Sequence, residues 1–185
     1  NNIDNNAFVL NEEIEGSGMY NIKHLEFKNS TFWDISNKVL SIYGGDDNTI
    51  TPGPEVVINH STFDSCGYDN STIINAKDVA INIKNSIFSY SPDNTYSLRL
   101  YGANAIIHHS DTFNVGPIDL NRNASVGESV YNLKPQYKNR KNGDFTLVES
   151  SPLYFKADDN KALGDLRWAT NTPKNYIDRE NNIPN

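Results

Sequence analysis

The side chain best suited to pairing with a carboxylate is Arg99, which stands in the alternating run Ser97-Leu98-Arg99-Leu100-Tyr101. Period-two spacing puts Leu98 and Leu100 on one face of a strand and leaves Ser97, Arg99 and Tyr101 on the other. Two related runs, 38–43 and 71–76, place Ser41 with Tyr43 and Thr72 with Ile74 on the outward side. If the runs are neighbouring strands, Tyr43, Arg99 and Tyr101 share one surface. Aromatic rings there would stack on sugar rings and the guanidinium would pair an acid, with Ser41 and Thr72 adding hydroxyls. The same pattern also describes an ordinary solvated strand face, and a slip of one residue would turn Arg99 inward.

Asp46 and Asp47, inside Gly44-Gly45-Asp46-Asp47-Asn48, offer the clustered oxygen ligands that calcium prefers, although adjacent acids in a glycine-rich loop are commonly solvated turn residues. His108 and His109 are expected to point to opposite faces of one strand, which rules them out as joint ligands from one side. Cys66 is alone, so there is neither a disulfide framework nor a cysteine zinc cluster. No phosphate-cradling glycine loop, nucleophile elbow or zinc-binding helix motif occurs.

These candidates depend on a repeat that would position them. A short phrase recurs as Asn5-Asn6-Ala7-Phe8, Asn29-Ser30-Thr31-Phe32, His60-Ser61-Thr62-Phe63, Asn85-Ser86-Ile87-Phe88 and Ser110-Asp111-Thr112-Phe113, with phenylalanines 24, 31, 25 and 25 residues apart. Such a period signals stacked coils. Ahead of the later phenylalanines, Leu25/Phe27, Val56/Ile58, Ile81/Ile83 and Ile106/His108 are expected to face inward. Asn suits the corner because it tolerates a left-handed backbone, and its amide is expected to bond to the Asn above and below. Three short strands per coil of about 25 residues predict an all-β, right-handed parallel β-helix over residues 1–123. Residues 124–169 break the period and are expected to cap the open end through Phe145, Leu147, Leu153 and Trp168, followed by a polar tail over 170–185.

Bulk composition agrees with a thin-cored solenoid. Only 37% of the 185 residues are hydrophobic, and 28 are Asn. The net charge of −7, without a basic stripe, argues against nucleic acid as a partner. No stretch is apolar enough for a membrane span. The only Met is Met19, and residues 3–8 already match the second half of a repeat. A fragment of a longer protein is therefore expected, with a lipid anchor upstream as one possibility and a monomer as the expected state.

The strand-Asn-Ser-x-Phe coils, followed by Pro135-Gln136-Tyr137, Gly143-Asp144-Phe145-Thr146-Leu147, Ser151-Pro152-Leu153 and Gly164-Asp165-Leu166-Arg167-Trp168, resemble the C-terminal part of pectate-lyase-like right-handed β-helix proteins. The similarity covers roughly residues 1–169. It is greatest to domains of unassigned activity in surface lipoproteins of glycan-degrading Gram-negative bacteria, and more distant to chondroitinase B and alginate lyases. The resemblance implies a secreted or outer-surface location and a polysaccharide partner, acidic by analogy with the lyases. In those enzymes a Lys or Arg base removes a proton beside a uronic acid while Arg or calcium neutralises the carboxylate. None of their catalytic motifs matches this chain residue for residue. Three readings follow: a binding module that is catalytically incomplete, a β-eliminating lyase with Arg99 as the charge-neutralising residue, or a structural or adhesive solenoid.

Overall fold

A computed structural model describes residues 6–10, 22–44, 54–102 and 104–170. After β1 (Phe8–Leu10), three strands recur per turn: β2 (His24–Lys28), β3 (Thr31–Ile35) and β4 (Leu40–Tyr43), then β5 (Glu55–Asn59), β6 (Thr62–Cys66) and β7 (Ile74–Lys77). The next turns are β8 (Ala80–Lys84), β9 (Ile87–Ser91) and β10 (Leu98–Tyr101), then β11 (Ile106–His108), β12 (Ser110–Val115) and β13 (Ile118–Asn121), and finally β14 (Ser125–Val126) with β15 (Val130–Tyr131). Equivalent strands pair in parallel into three five-stranded sheets. The first sheet is β2-β5-β8-β11-β14, the middle sheet β3-β6-β9-β12-β15 and the third β1-β4-β7-β10-β13. The chain is thus a parallel β-solenoid whose coils continue to Tyr131, beyond the expected boundary at residue 123.

Inward side chains stack in columns. Leu40, Ile74 and Leu98 lie in register on the third sheet, and Val56, Ile81, Ile58 and Ile83 on the first, all without solvent exposure. On the middle sheet Phe32, Phe63 and Phe88 form the core column, with ring centroids 4.9 and 4.7 Å apart and planes within 14° and 6°. Each ring pair contributes about 0.5–1.5 kcal/mol beyond the burial of its area.

Two of the five expected phenylalanines leave that column. Phe8 pairs with Leu40 on the third sheet and is 40% exposed. Phe113 pairs with Ser89, while Thr112 takes the place opposite Phe88. Phe113 therefore faces outward, its ring edge-on to Tyr90 at 5.4 Å. The same one-residue shift corrects the strand before it. Ile107, in register with Ile83, is the buried residue of β11, and Ile106 and His108 face outward.

The corner between the first and middle sheets is made by residues with positive φ: Asn29, His60, Asn85, His109 and Ser129 at 47°, 47°, 53°, 41° and 57°. Asn is the non-glycine residue that pays least for this geometry. The expected amide ladder along these residues is replaced by a serine ladder one position later. Ser86 Oγ accepts from Ser61 N, and Ser110 Oγ accepts from Ser86 N, both at 3.2 Å. Asn85 makes a diagonal bond to another Asn side chain, donating to Asn59 Oδ1 at 3.0 Å.

The segment after the coils does not close the end of the solenoid. With β16 (Tyr137–Asn139) and β17 (Asp144–Leu147) as an antiparallel pair, it runs back along the outer face of the middle sheet. Ile87 packs with Leu147, Leu153, Tyr154 and Leu163, and Phe145 meets the rings of Trp33, Tyr137 and Trp168. Trp168 Nε1 donates to Thr31 Oγ1 at 2.8 Å, on the first turn. Asp158 and Asp159 bond the corner residues Asn85 and His60. Leu120 and Val126, inward residues of the last turn, remain 36% and 45% exposed, because the apolar side chains that were to cover them are used laterally.

Candidate functional site

The third sheet carries the face on which Arg99 sits. Its register aligns Ser41, Asn75, Arg99 and Asp119 in one outward row and Tyr43, Lys77, Tyr101 and Asn121 in the next. Tyr43, Arg99 and Tyr101 thus share one surface. Tyr43 and Tyr101 stand two strand spacings apart, about 9.6 Å. The middle turn contributes Asn75 and Lys77 rather than Thr72 and Ile74. Ile73 and Ile74 are both buried, Ile73 at the corner and Ile74 in the sheet, so strict alternation counted from Ser71 has the wrong phase.

Arg99 is paired across the sheet. Its Nε donates to Asp119 Oδ2 at 3.1 Å, and the Tyr101 hydroxyl donates to the same oxygen at 2.5 Å. That bond to the carboxylate pushes the Tyr101 hydroxyl above its ordinary value, with desolvation acting the same way. The guanidinium lies 5.0 Å from the ring centroid of Tyr96 and 5.8 Å from that of Tyr101. With Nε committed, its terminal nitrogens make no further hydrogen bond among the described residues. They border a shallow cleft of about 300 Å³ lined by Lys38, Asn70, Ser71, Thr72, Thr95, Tyr96 and Arg99.

Two proposed contacts are poorly presented. Ser41 is 6% exposed and Thr72 5%, and the Thr72 hydroxyl oxygen is sealed from solvent without a hydrogen-bond partner among the described residues. Tyr43 accepts from the Asn75 amide at 2.5 Å and stays half-buried. Asp46 and Asp47 lie outside the described residues. The expectation for His108 and His109 is overturned: their Nδ1 atoms are 3.0 Å apart, because the left-handed backbone at His109 ends the strand alternation and swings its ring back.

Two carboxyls raised by burial lie elsewhere, beneath the C-terminal segment. Asp64, fully buried, accepts from Arg140 and Ser89 at 2.8 Å each, and Arg140 stacks over Tyr90 at 4.0 Å. Burial pushes the Asp64 carboxyl up, while Arg140 and Ser89 pull it down. Asp111, also fully buried, accepts from Leu133 N at 2.7 Å through Oδ1, while Oδ2 has no partner among the described residues. Burial pushes its carboxyl up to about 7. Burial likewise raises the Cys66 thiol well above the ordinary thiol range, leaving it inert.

Sequence reasoning missed Asp119, Lys38, Tyr96 and the Asp64–Arg140 pair. Asp119 was findable, since Ile118-Asp119-Leu120-Asn121 repeats the alternation of Leu98-Arg99-Leu100-Tyr101. Lys38 and Tyr96 sit in connections without periodicity, and only the coil geometry brings them to Arg99. Among the described residues, no group of three or more His, Cys, Asp or Glu side chains is arranged to hold a metal ion, and no helix is long and apolar enough to cross a membrane.

No curated protein matches the chain. Residues 56–168, which span β5 to the Trp168 contact and so contain both Arg99 and the laterally packed segment, match the model of a domain of unknown function, DUF5123. The match covers more than half of the 185 residues, and the chain belongs to that family.

Proposed function

We propose that this chain is a polysaccharide-binding, catalytically incomplete module of a secreted or outer-surface glycan-utilisation protein of a Gram-negative bacterium. Its coil is taken as right-handed, the hand that right-twisted strands favour in parallel crossovers. The observation that carries the reading is the shared outward face of Tyr43, Arg99 and Tyr101 on the third sheet. Asp119 fixes Arg99 through Nε and leaves the terminal guanidinium nitrogens without a hydrogen bond among the described residues, the donors that a planar carboxylate would take. Lys38 in the adjoining cleft adds a second cation, which favours an acidic glycan. Tyr43 and Tyr101 supply rings in the next outward row.

The lyase reading is kept as the rival because a cation pair beside a bound carboxylate is also what β-elimination requires. Affinity electrophoresis through pectin, alginate and chondroitin sulfate separates the readings. Retarded migration in at least one polymer, weakened by Tyr101→Ala, is the expected result. Unretarded migration in all of them would favour a structural or adhesive solenoid. A rise in unsaturated-uronide absorbance, with or without calcium, would replace the binding module with a lyase.

A further inference from the structure

We propose that His108 and His109 form a two-imidazole site for a divalent transition-metal ion of the copper(II) or nickel(II) class, at the corner between the first and middle sheets. The two Nδ1 atoms are 3.0 Å apart. Donors about 2.0–2.1 Å from one ion lie about 2.9 Å apart when they subtend a right angle and about 3.4 Å apart at the tetrahedral angle. The observed spacing, set by an N–H···N hydrogen bond in the metal-free chain, is close to the right-angle value. Square-planar and tetragonal ions hold imidazoles this way, whereas zinc favours the tetrahedron.

The His108 tautomer is already set for it. His108 Nε2–H donates to Asn82 Oδ1 at 3.1 Å, which leaves the His108 Nδ1 lone pair facing His109. His109 Nδ1 donates to that lone pair. On metal entry this proton moves to His109 Nε2, so both Nδ1 atoms become ligands, and two neutral rings release no net proton. The glycan reading plays no part in this site.

Calorimetric titration of the whole chain with nickel chloride and copper sulfate at pH 7.5, together with electron paramagnetic resonance of the copper form, tests the site. One ion per chain with coupling to two nitrogens is expected. His109→Asn is the informative variant, since Asn occupies the equivalent left-handed corner at positions 29 and 85 and preserves the turn. It should weaken binding at least ~10-fold, and Asn82→Ala roughly 10-fold by freeing the His108 tautomer. His24→Ala, which alters an exposed histidine bonded to Glu55, should leave affinity unchanged. Circular dichroism of each variant confirms folding. No heat with either metal, or wild-type affinity in folded His109→Asn, would overturn the proposal.

Discussion

The outer faces of the middle and third sheets begin from the same material, short parallel strands with polar side chains in register, and end with different fates. On the middle sheet the C-terminal segment covers the face, so Asp64 reaches 0% exposure and its pair with Arg140 is an interior contact. On the third sheet Arg99 keeps 38% of its side chain in solvent and Asp119 23%, so the corresponding pair is a wet one. The acids whose carboxyls are raised by burial, Asp64 and Asp111, therefore lie where a large ligand has no access. A shifted carboxyl is evidence of function only where something can reach it.

Removing one large side chain from each face should widen the contrast most. Phe145, 1% exposed among Trp33, Tyr137 and Trp168, anchors the covering segment, and Phe145→Ala should cost about 3–5 kcal/mol in urea unfolding. It should also open residues 133–169 to limited proteolysis. A change below about 1 kcal/mol would mean that the segment is only loosely laid on the sheet.

Charge deletion gives the next largest difference. Arg140→Ala strands a fully buried carboxylate and should cost about 3 kcal/mol at pH 7, the low end for breaking a buried pair because Arg140 itself is 27% exposed. Arg99→Ala removes a half-exposed pair and should cost no more than about 1 kcal/mol. Equal costs for the two variants would erase the distinction between the faces.

The covered face should also show the stronger pH dependence. Asp111 titrates near 3.8 when exposed and at about 7 in the fold, so the folded state binds its proton more tightly. The associated stability is fully present below pH 3.8 and is lost as pH rises through 7. Asp111→Asn should remove this loss and make the variant more stable than wild type at pH 8. Asp165 behaves in the opposite sense. Although burial raises it, its bonds to Arg167 and Thr31 hold it below 3.8, so its contribution is present at neutral pH and lost in acid. Melting curves of the Asp111→Asn protein that fall with pH between 4 and 8 as steeply as those of wild type would place the titration elsewhere.

Legibility in the sequence followed the range of the interactions. The strand periods and the three stacked phenylalanines are local and could be read. The slip at Phe113 could not, because Thr112 fills a phenylalanine position and an alignment on Phe is drawn to the next residue. That one shift carried His108 from an inward position to an outward one, and the left-handed His109 then brought the two rings together. The phase error at Thr72 has a similar origin, a corner isoleucine that is as buried as the strand residue after it. The destination of residues 133–169 was illegible for another reason. Its contacts, such as Thr31 Oγ1 donating to Asp165 at 2.7 Å, join residues 134 positions apart, and an apolar segment after a solenoid reads equally well as an end cap or a lateral cover.

The smallest expected effect concerns the face assigned to the glycan. Tyr101→Ala deletes a half-buried ring and one hydroxyl bond to Asp119, and should shift stability by no more than about 1 kcal/mol, since Asp119 retains the Arg99 Nε bond and access to water. Polymer retardation should nevertheless fall in this variant, because the ring is lost where the third sheet meets solvent. A large stability loss in Tyr101→Ala would show that the third sheet is consolidated like the middle one, with Tyr101 and Asp119 serving the fold. A small stability change with reduced retardation would separate binding from folding at a single residue, which no residue beneath the covering segment can do.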